Sequence, residues 1–290
     1  MSESEPFAGR TAVVTGAASG IGAALASELV SHGMAVVLAD IDEAGAQRSA
    51  AELRSQGARA IGVGVDVSDP VSVAALAEAA YAEFGSVELL CNNAGVLLFG
   101  AIADSTIGDW RWLSSVNVEG TLNCLHAFLP AMRRANGWRH IMNTSSTHAF
   151  LPDTGHTAVY SATKHAILGL SLGLRTELAV DGIGVTTLCP GQAATRIMDS
   201  QRSRPDSFGK RAAEPFGTGV IPMAIEPQEV ARAAIAGIAR QDEIVFALPG
   251  HGQDQFRSQV EQLWRIADDA LATHADLLPR AGESADAIER

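Results

Sequence analysis

The chain has 290 residues, 47% of them hydrophobic and 19% charged, with 28 glycines and a formal net charge of -12. That length suits one large domain or two small ones, and the acidic balance argues against nucleic acid or an anionic membrane as partner. No run approaches the roughly 18 apolar residues needed to span a bilayer, and the polar start MSESEPFAGR carries no export pattern, so a cytoplasmic location is expected.

Short apolar runs at 11–15, 35–39, 59–65, 87–91, 140–144, 184–189 and 243–248 read as strands. Helical patterns lie between them at 20–32, 42–56, 70–84, 106–133, 157–180 and 227–240. Strand–helix alternation at this spacing predicts an α/β fold: a doubly wound parallel sheet of seven strands, with helices on both faces. The strands are almost continuously apolar, as expected when both faces are covered. Residues 192–225 mix charge, glycine and proline, and a long irregular insert in a compact domain is usually functional. After the last strand comes a helical piece near 253–273 and a polar tail. The division expected is one catalytic domain over 1–250, including the 192–225 loop, and a helical extension with a tail over 251–290. Cys91, Cys124 and Cys189 have no metal spacing and read as free thiols, not as a disulfide framework.

Thr15-Gly16-Ala17-Ala18-Ser19-Gly20-Ile21-Gly22 joins the first strand to the first helix. Glycines there permit a tight turn and let a pyrophosphate approach a helix N-terminus, whose free N–H groups and dipole favour anions. The spacing Gly-x3-Gly-x-Gly differs from the commoner Gly-x-Gly-x2-Gly, and a glycine turn alone can be mere packing. Its place at the end of the first strand, followed by a second strand ending in Asp40, marks a Rossmann-type dinucleotide site. A carboxylate at Asp40, next to Ile41, can accept both adenosine ribose hydroxyls and would repel a 2′-phosphate. No Lys or Arg occupies 17–19 or 41–43, so NAD is expected over NADP. The competing role for Asp40 is a cap on the helix starting near 42, which Asp42 could equally fill.

Tyr160-Ser161-Ala162-Thr163-Lys164 pairs one of two tyrosines with one of two lysines, in a chain whose other 19 basic residues are arginine. On a helix, side chains four apart share a face. A phenol beside an ammonium is an acid/base unit. Lowering a phenol from about 10 to near 7 takes roughly 4 kcal/mol. One positive charge 4–5 Å away offers roughly 3–4 kcal/mol at an effective dielectric of 20.

With these motifs in order, the chain resembles the short-chain dehydrogenase/reductase family, in its compact NAD-preferring type with a C-terminal extension. The resemblance runs from about Gly9 to Leu248. It rests on TGAASGIG at 15–22, Asp66-Val67, Asn92-Asn93-Ala94-Gly95, Asn117, a serine after the fifth strand, Tyr160-x3-Lys164 and Pro190-Gly191. It implies that Asp66 and Val67 hold the adenine and that Asn93, with Ala94 and Gly95, supports the ribose-side loop. Pro190, Gly191, Ala193 and Thr195 would contact the nicotinamide end. Tyr160 would be the base, and Lys164 its tuner and a ribose ligand. Asn117 would hold a relay water. The family's active serine aligns with Ser146, with Ser145 as competitor. Ala193 replaces a branched aliphatic residue, and the Ser146–Tyr160 gap is one residue longer than usual.

Leu97, Phe99, His148, Phe150, Gln192 and the 192–225 insert would wall a mostly apolar pocket, suited to a hydrophobic or bulky secondary alcohol or ketone. His148 and His156 lack a paired carboxylate or metal spacing and read as polar loop residues. Trp110 and Trp112 read as packing or interface residues. Three other readings stand beside NAD-linked alcohol oxidation: a non-catalytic NAD sensor, an NADP-dependent carbonyl reductase, and a dehydratase or epimerase using transient oxidation. By the same resemblance the chain is expected to form a homo-oligomer, tetramer or dimer.

Overall fold

The computed structural model describes residues 6–150, 156–209 and 224–274. The middle of the 192–225 insert, the tail beyond 274 and the first five residues of the polar start lie outside these.

Seven parallel strands, β1 (Thr11–Thr15), β2 (Ala35–Asp40), β3 (Ala60–Gly64), β4 (Leu89–Asn92), β5 (Arg139–Thr144), β6 (Ile183–Pro190) and β7 (Ile244–Ala247), form one sheet. Its order is β3-β2-β1-β4-β5-β6-β7. The helices are α1 (Gly20–Ser31), α2 (Glu43–Ser55), α3 (Pro70–Phe84), α4 (Ile107–Ser114), α5 (Gly120–Arg134), α6 (Ala158–Leu178) and α7 (Pro227–Arg240). This is a Rossmann-like, doubly wound fold, as the strand–helix alternation predicts. The order reverses between β1 and β4, which opens a crevice at their carboxyl ends.

Side-chain alternation along the strands divides the core. Ala12, Val14, Val36 and Leu38 pack under α1 and α7 with Leu25, Leu29 and Ile235. Val13 and Val37 face the opposite side, with Leu76 of α3, Phe128 of α5 and Leu174 of α6. Both faces are buried, which explains why the strands show no polar alternation.

Helix starts follow local chemistry. Asp42 caps α2 by accepting from the Gly45 N–H at 2.9 Å, and Asp69 caps α3 ahead of Pro70. Thr106 and Asp109 form a reciprocal capping box on α4. The sequence pattern 106–133 suggests one helix, but the structure interrupts it with a π-helical turn over Ser115–Glu119. That wider turn lets Asn117 enter the core and make three bonds to neighbouring segments.

The chain divides into two units, Met1–Pro249 and Gly250–Arg290. In the second, a single described helix, α8 (Gly250–His274), leaves Leu263, Trp264, Ile266 and Leu271 exposed. No helix among the described residues is long and apolar enough to cross a membrane.

Candidate active site

Two loops meet at the crevice. After β1, the glycine turn packs directly on the Asn93-Ala94 turn that follows β4. A Cβ at Gly16, where φ is +68°, would lie 2.9 Å from the Ala94 Cα. One at Gly22 would lie 2.1 Å from the Gly16 carbonyl oxygen, so only glycine fits there. Asn93 Nδ2 donates to the Thr15 carbonyl at 3.0 Å, and Thr15 Oγ1 accepts from the Asn93 and Ala94 N–H groups at 3.0 Å. Asn93 Oδ1 accepts from Thr144 Oγ1 at 3.4 Å, which ties in β5. Ser19 stands at the N-cap of α1, yet its hydroxyl makes no capping bond. The first N–H groups of that helix therefore face the crevice without a side-chain cap, as an anion site requires.

Asp40 ends β2. Its Oδ2 accepts from the Ala18 N–H and its Oδ1 from the Asp42 N–H, both at 2.9 Å. Asp42, not Asp40, caps α2, so the competing role considered for Asp40 is already filled. Ile41 beside it is 56% exposed, an apolar side chain left uncovered at the mouth of the crevice. Asp66 closes its own turn through Ser68, and the Val67 carbonyl accepts from Asn123 Nδ2 at 2.9 Å. At the other end, Gly191 donates to the Ala247 carbonyl at 2.9 Å just after Pro190. Ala193 bridges to Ile225, and the Thr195 side chain lies beside Gly20.

Tyr160 and Lys164 share one face of α6, and both are buried. Lys164 Nζ lies 5.7 Å from the centre of the Tyr160 ring and donates to the Thr144 carbonyl at 2.9 Å. The Ser146 side chain is a polar neighbour of the Tyr160 phenol. Burial pushes the phenol up to about 12, although the Ser146 hydroxyl works to lower it. Burial pulls Lys164 down to about 8, which leaves it a cation at neutral pH. Loss of water around both groups is the largest cause of these two shifts.

Ser145 and Ser146 differ in their partners. Ser145 Oγ donates to the Lys164 carbonyl at 2.7 Å, a bond between β5 and α6, while Ser146 is a polar neighbour of the phenol and accepts from the His148 N–H at 3.2 Å. The Asn117 amide accepts from the Val96 N–H at 2.8 Å and donates to the Val96 carbonyl and Thr163 Oγ1, each at 3.0 Å. A Cβ on Gly95 would lie 3.3 Å from Asn117 Oδ1 and 3.4 Å from Lys164 Nζ, so both polar atoms border one small space.

Of the expected pocket residues, His148 lies edge-on to the Tyr160 ring, centroids 5.7 Å apart, and its Nδ1 is bonded to Thr157 Oγ1 at 3.1 Å. Leu97 packs beside Tyr160 in a small cluster with Val96, Leu98, Trp112 and Leu113. Phe150 turns instead towards Phe246, with ring centroids 5.1 Å apart. Gln192 is exposed and holds Ile225 through its backbone carbonyl, and Phe99 is half-buried. Trp112 is core, whereas Trp110 is 42% exposed.

Sequence reasoning missed Cys189 as a neighbour of this centre. Its buried thiol, raised to about 12 by burial, has Lys164, Ser146 and Ser145 as polar neighbours that work to lower it. The available signal was its place just before Pro190-Gly191.

A parallel sheet with a glycine cradle at its switch point and a Ser–Tyr–Lys cluster beside it defines a dinucleotide-type oxidoreductase. The short chain dehydrogenase model matches residues 10–206. The chain is 38% identical over 191 residues to 1-deoxy-11-beta-hydroxypentalenate dehydrogenase of Streptomyces exfoliatus, covering 65% of this chain and 69% of that one. It is 33% identical over 238 residues to meso-2,3-butanediol dehydrogenase of Serratia marcescens, covering 81% and 89%. A short-chain dehydrogenase/reductase from Burkholderia phymatum, solved in complex with NAD, superposes with a TM-score of 0.80 at 35% identity, covering 89% and 95%. The chain therefore belongs to the short-chain dehydrogenase/reductase family of oxidoreductases.

Proposed function

We propose that this oxidoreductase interconverts a secondary alcohol and its ketone with NAD(H), using Tyr160 as base and acid. The observation that carries the reading is the buried Tyr160 phenol with the Lys164 ammonium 5.7 Å from its ring centre and the buried Ser146 hydroxyl as its polar neighbour. The cradle of Gly16, Ser19, Gly20, Ile21 and Gly22 fits the pyrophosphate and Asp40 the adenosine ribose, with Ile41, Asp66 and Val67 at the adenine. Asn93, Ala94, Gly95, Pro190, Gly191, Ala193 and Thr195 would line the rest. NAD, when bound, supplies the hydride acceptor.

The chain's own groups handle the proton and the oxygen. Ser146 bonds the substrate oxygen as its charge changes. Tyr160 takes the hydroxyl proton in oxidation and returns it in reduction. Lys164, cationic at neutral pH, favours the phenolate, and Asn117, which flanks Gly95 together with Lys164 Nζ, would hold a water that passes the proton onward. Burial holds the phenol in its acid form, the form that reduction uses, and oxidation draws on the Lys164 ammonium to favour the phenolate. Asp40 offers a 2′-phosphate only repulsion, which supports NAD over NADP. The two named relatives are dehydrogenases of hydroxyl-bearing compounds, and Leu97 with its apolar neighbours favours a hydrophobic substrate.

The direct test is Tyr160→Phe. Turnover should fall by about a hundredfold to ten-thousandfold, with NAD affinity retained. Near-normal turnover would remove Tyr160 from the mechanism.

A further inference from the structure

Asp109 and Arg204 are 95 positions apart and belong to no motif. The fold brings Arg204 Nη1 to 2.6 Å from Asp109 Oδ1, with the two side chains only 5% and 2% exposed. The guanidinium also donates to the Phe208 carbonyl at 2.7 Å and lies 5.2 Å from the centre of the buried Trp112 ring. Asp109 is fixed from its other side, where Oδ2 accepts from the Thr106 N–H at 2.8 Å. Burial pushes its carboxyl up, but bonds from Thr106 and Arg204 more than offset that and leave it below the ordinary range.

Two contacts independent of charge join the same pieces. A Cβ on Gly108 would lie 2.5 Å from the Phe208 carbonyl oxygen, so α4 and the end of this segment touch backbone to backbone. Leu97 donates its N–H to the buried Ser200 hydroxyl at 3.0 Å. Residues 195–208 thus run from Thr195, beside Gly20 in the cradle, past Leu97 to Phe208 on α4. Phe208 and Leu97 both pack on the cluster that contains Trp112 and Tyr160.

Arg204 Nε is buried without a hydrogen-bond partner among the described residues. A buried ion pair with an orphaned donor is a poor source of stability, since an apolar pair of similar volume often does as well. Its contribution is geometric: a planar guanidinium held by a carboxylate, a carbonyl and an indole face has one placement.

We propose that the Asp109–Arg204 pair is a latch that sets residues 196–208 against the wall carrying Tyr160, making Arg204 a positioning residue that determines how bulky an alcohol the site accepts. The specificity half of this rests on the reading of Tyr160 as the base. The latch itself does not.

The test compares the full-length wild type with Arg204→Met, Arg204→Lys and the double variant Asp109→Asn/Arg204→Met, which folds without a stranded charge. Amide exchange of 196–208 should accelerate by about tenfold in Arg204→Met and in the double variant, with Lys intermediate. With NAD, KM for 1-phenylethanol should rise about tenfold, while KM for NAD and both constants for 2-propanol stay within about twofold. Unchanged exchange in both Met variants would overturn the latch. Faster exchange with KM and kcat for both alcohols moving together would reduce Arg204 to a structural support and overturn its specificity role. If the wild type oxidises neither alcohol, exchange alone decides the latch, and the variants are compared on a bulky and a small secondary alcohol that the wild type does oxidise.

Discussion

The proposed cofactor cradle and the proposed substrate wall are built in opposite ways. The cradle is made of backbone: helix N–H groups, a turn with no room for a Cβ at Gly22, and Asn93 bonded to the Thr15 main chain. The wall is made of side chains brought together over long separations, such as Leu97 with Ser200 and Asp109 with Arg204. A backbone site demands particular residues at fixed local spacing. A side-chain wall can be assembled in many ways, which is how one fold serves many alcohols.

Breaking the cradle alone should have the larger effect. Gly22→Ala places a methyl 2.1 Å from the Gly16 carbonyl oxygen. It should displace the turn, weaken NAD binding by about a hundredfold and cost about 1–3 kcal/mol of stability. Calorimetric titration with NAD and a urea melt measure the two. Unchanged affinity would mean that the turn does not hold the cofactor. Breaking the wall through Arg204 should be milder and selective, affecting the bulky alcohol and sparing NAD.

The same division explains what the sequence reveals. Thr15–Gly22, Asp40, Asn93 and Tyr160–Lys164 stand at strand ends or one helical turn apart, so spacing alone places them. The seven strands are legible for a related reason: burial on both faces leaves apolar runs that little else in a soluble chain produces. The π-turn at Asn117 was not legible, because it follows from bonds to Val96 and Thr163 and not from helix propensity. Neither was the Asp109–Arg204 pair, because an aspartate in a capping box and an arginine in a polar loop each have a sufficient local explanation. Ser145 and Ser146 are adjacent and chemically identical, and only the fold separates them, by giving Ser145 the Lys164 carbonyl as its acceptor.

A smaller effect, remote from both regions, sharpens the comparison. His140 is the second residue of β5, fully buried, with Nε2 bonded to Thr186 Oγ1 at 2.8 Å and its ring stacked on Trp138. Burial, aided by Arg175, pulls it down to about 3, so it folds neutral. The unfolded chain binds its proton near pH 6.5, and stability is therefore lost as pH falls from there towards 3. Between pH 7 and pH 5 this amounts to about 2 kcal/mol. Urea midpoints at the two pH values should show that loss in the wild type, and His140→Leu should show a correspondingly flatter dependence. Equal slopes in the two proteins would contradict the neutral, buried assignment.

The central claim is NAD-linked alcohol oxidation read out at Asp40 and Tyr160. Its most direct test is a panel of secondary alcohols assayed with NAD and NADP side by side, in the wild type and in Asp40→Ala. NADH formation should exceed NADPH formation by about tenfold or more for at least one hydrophobic alcohol, and the ratio should collapse in Asp40→Ala as a charged ribose contact worth about 1.5–3 kcal/mol is lost. Equal use of both cofactors by the wild type, or a ratio unmoved by the substitution, would contradict the account.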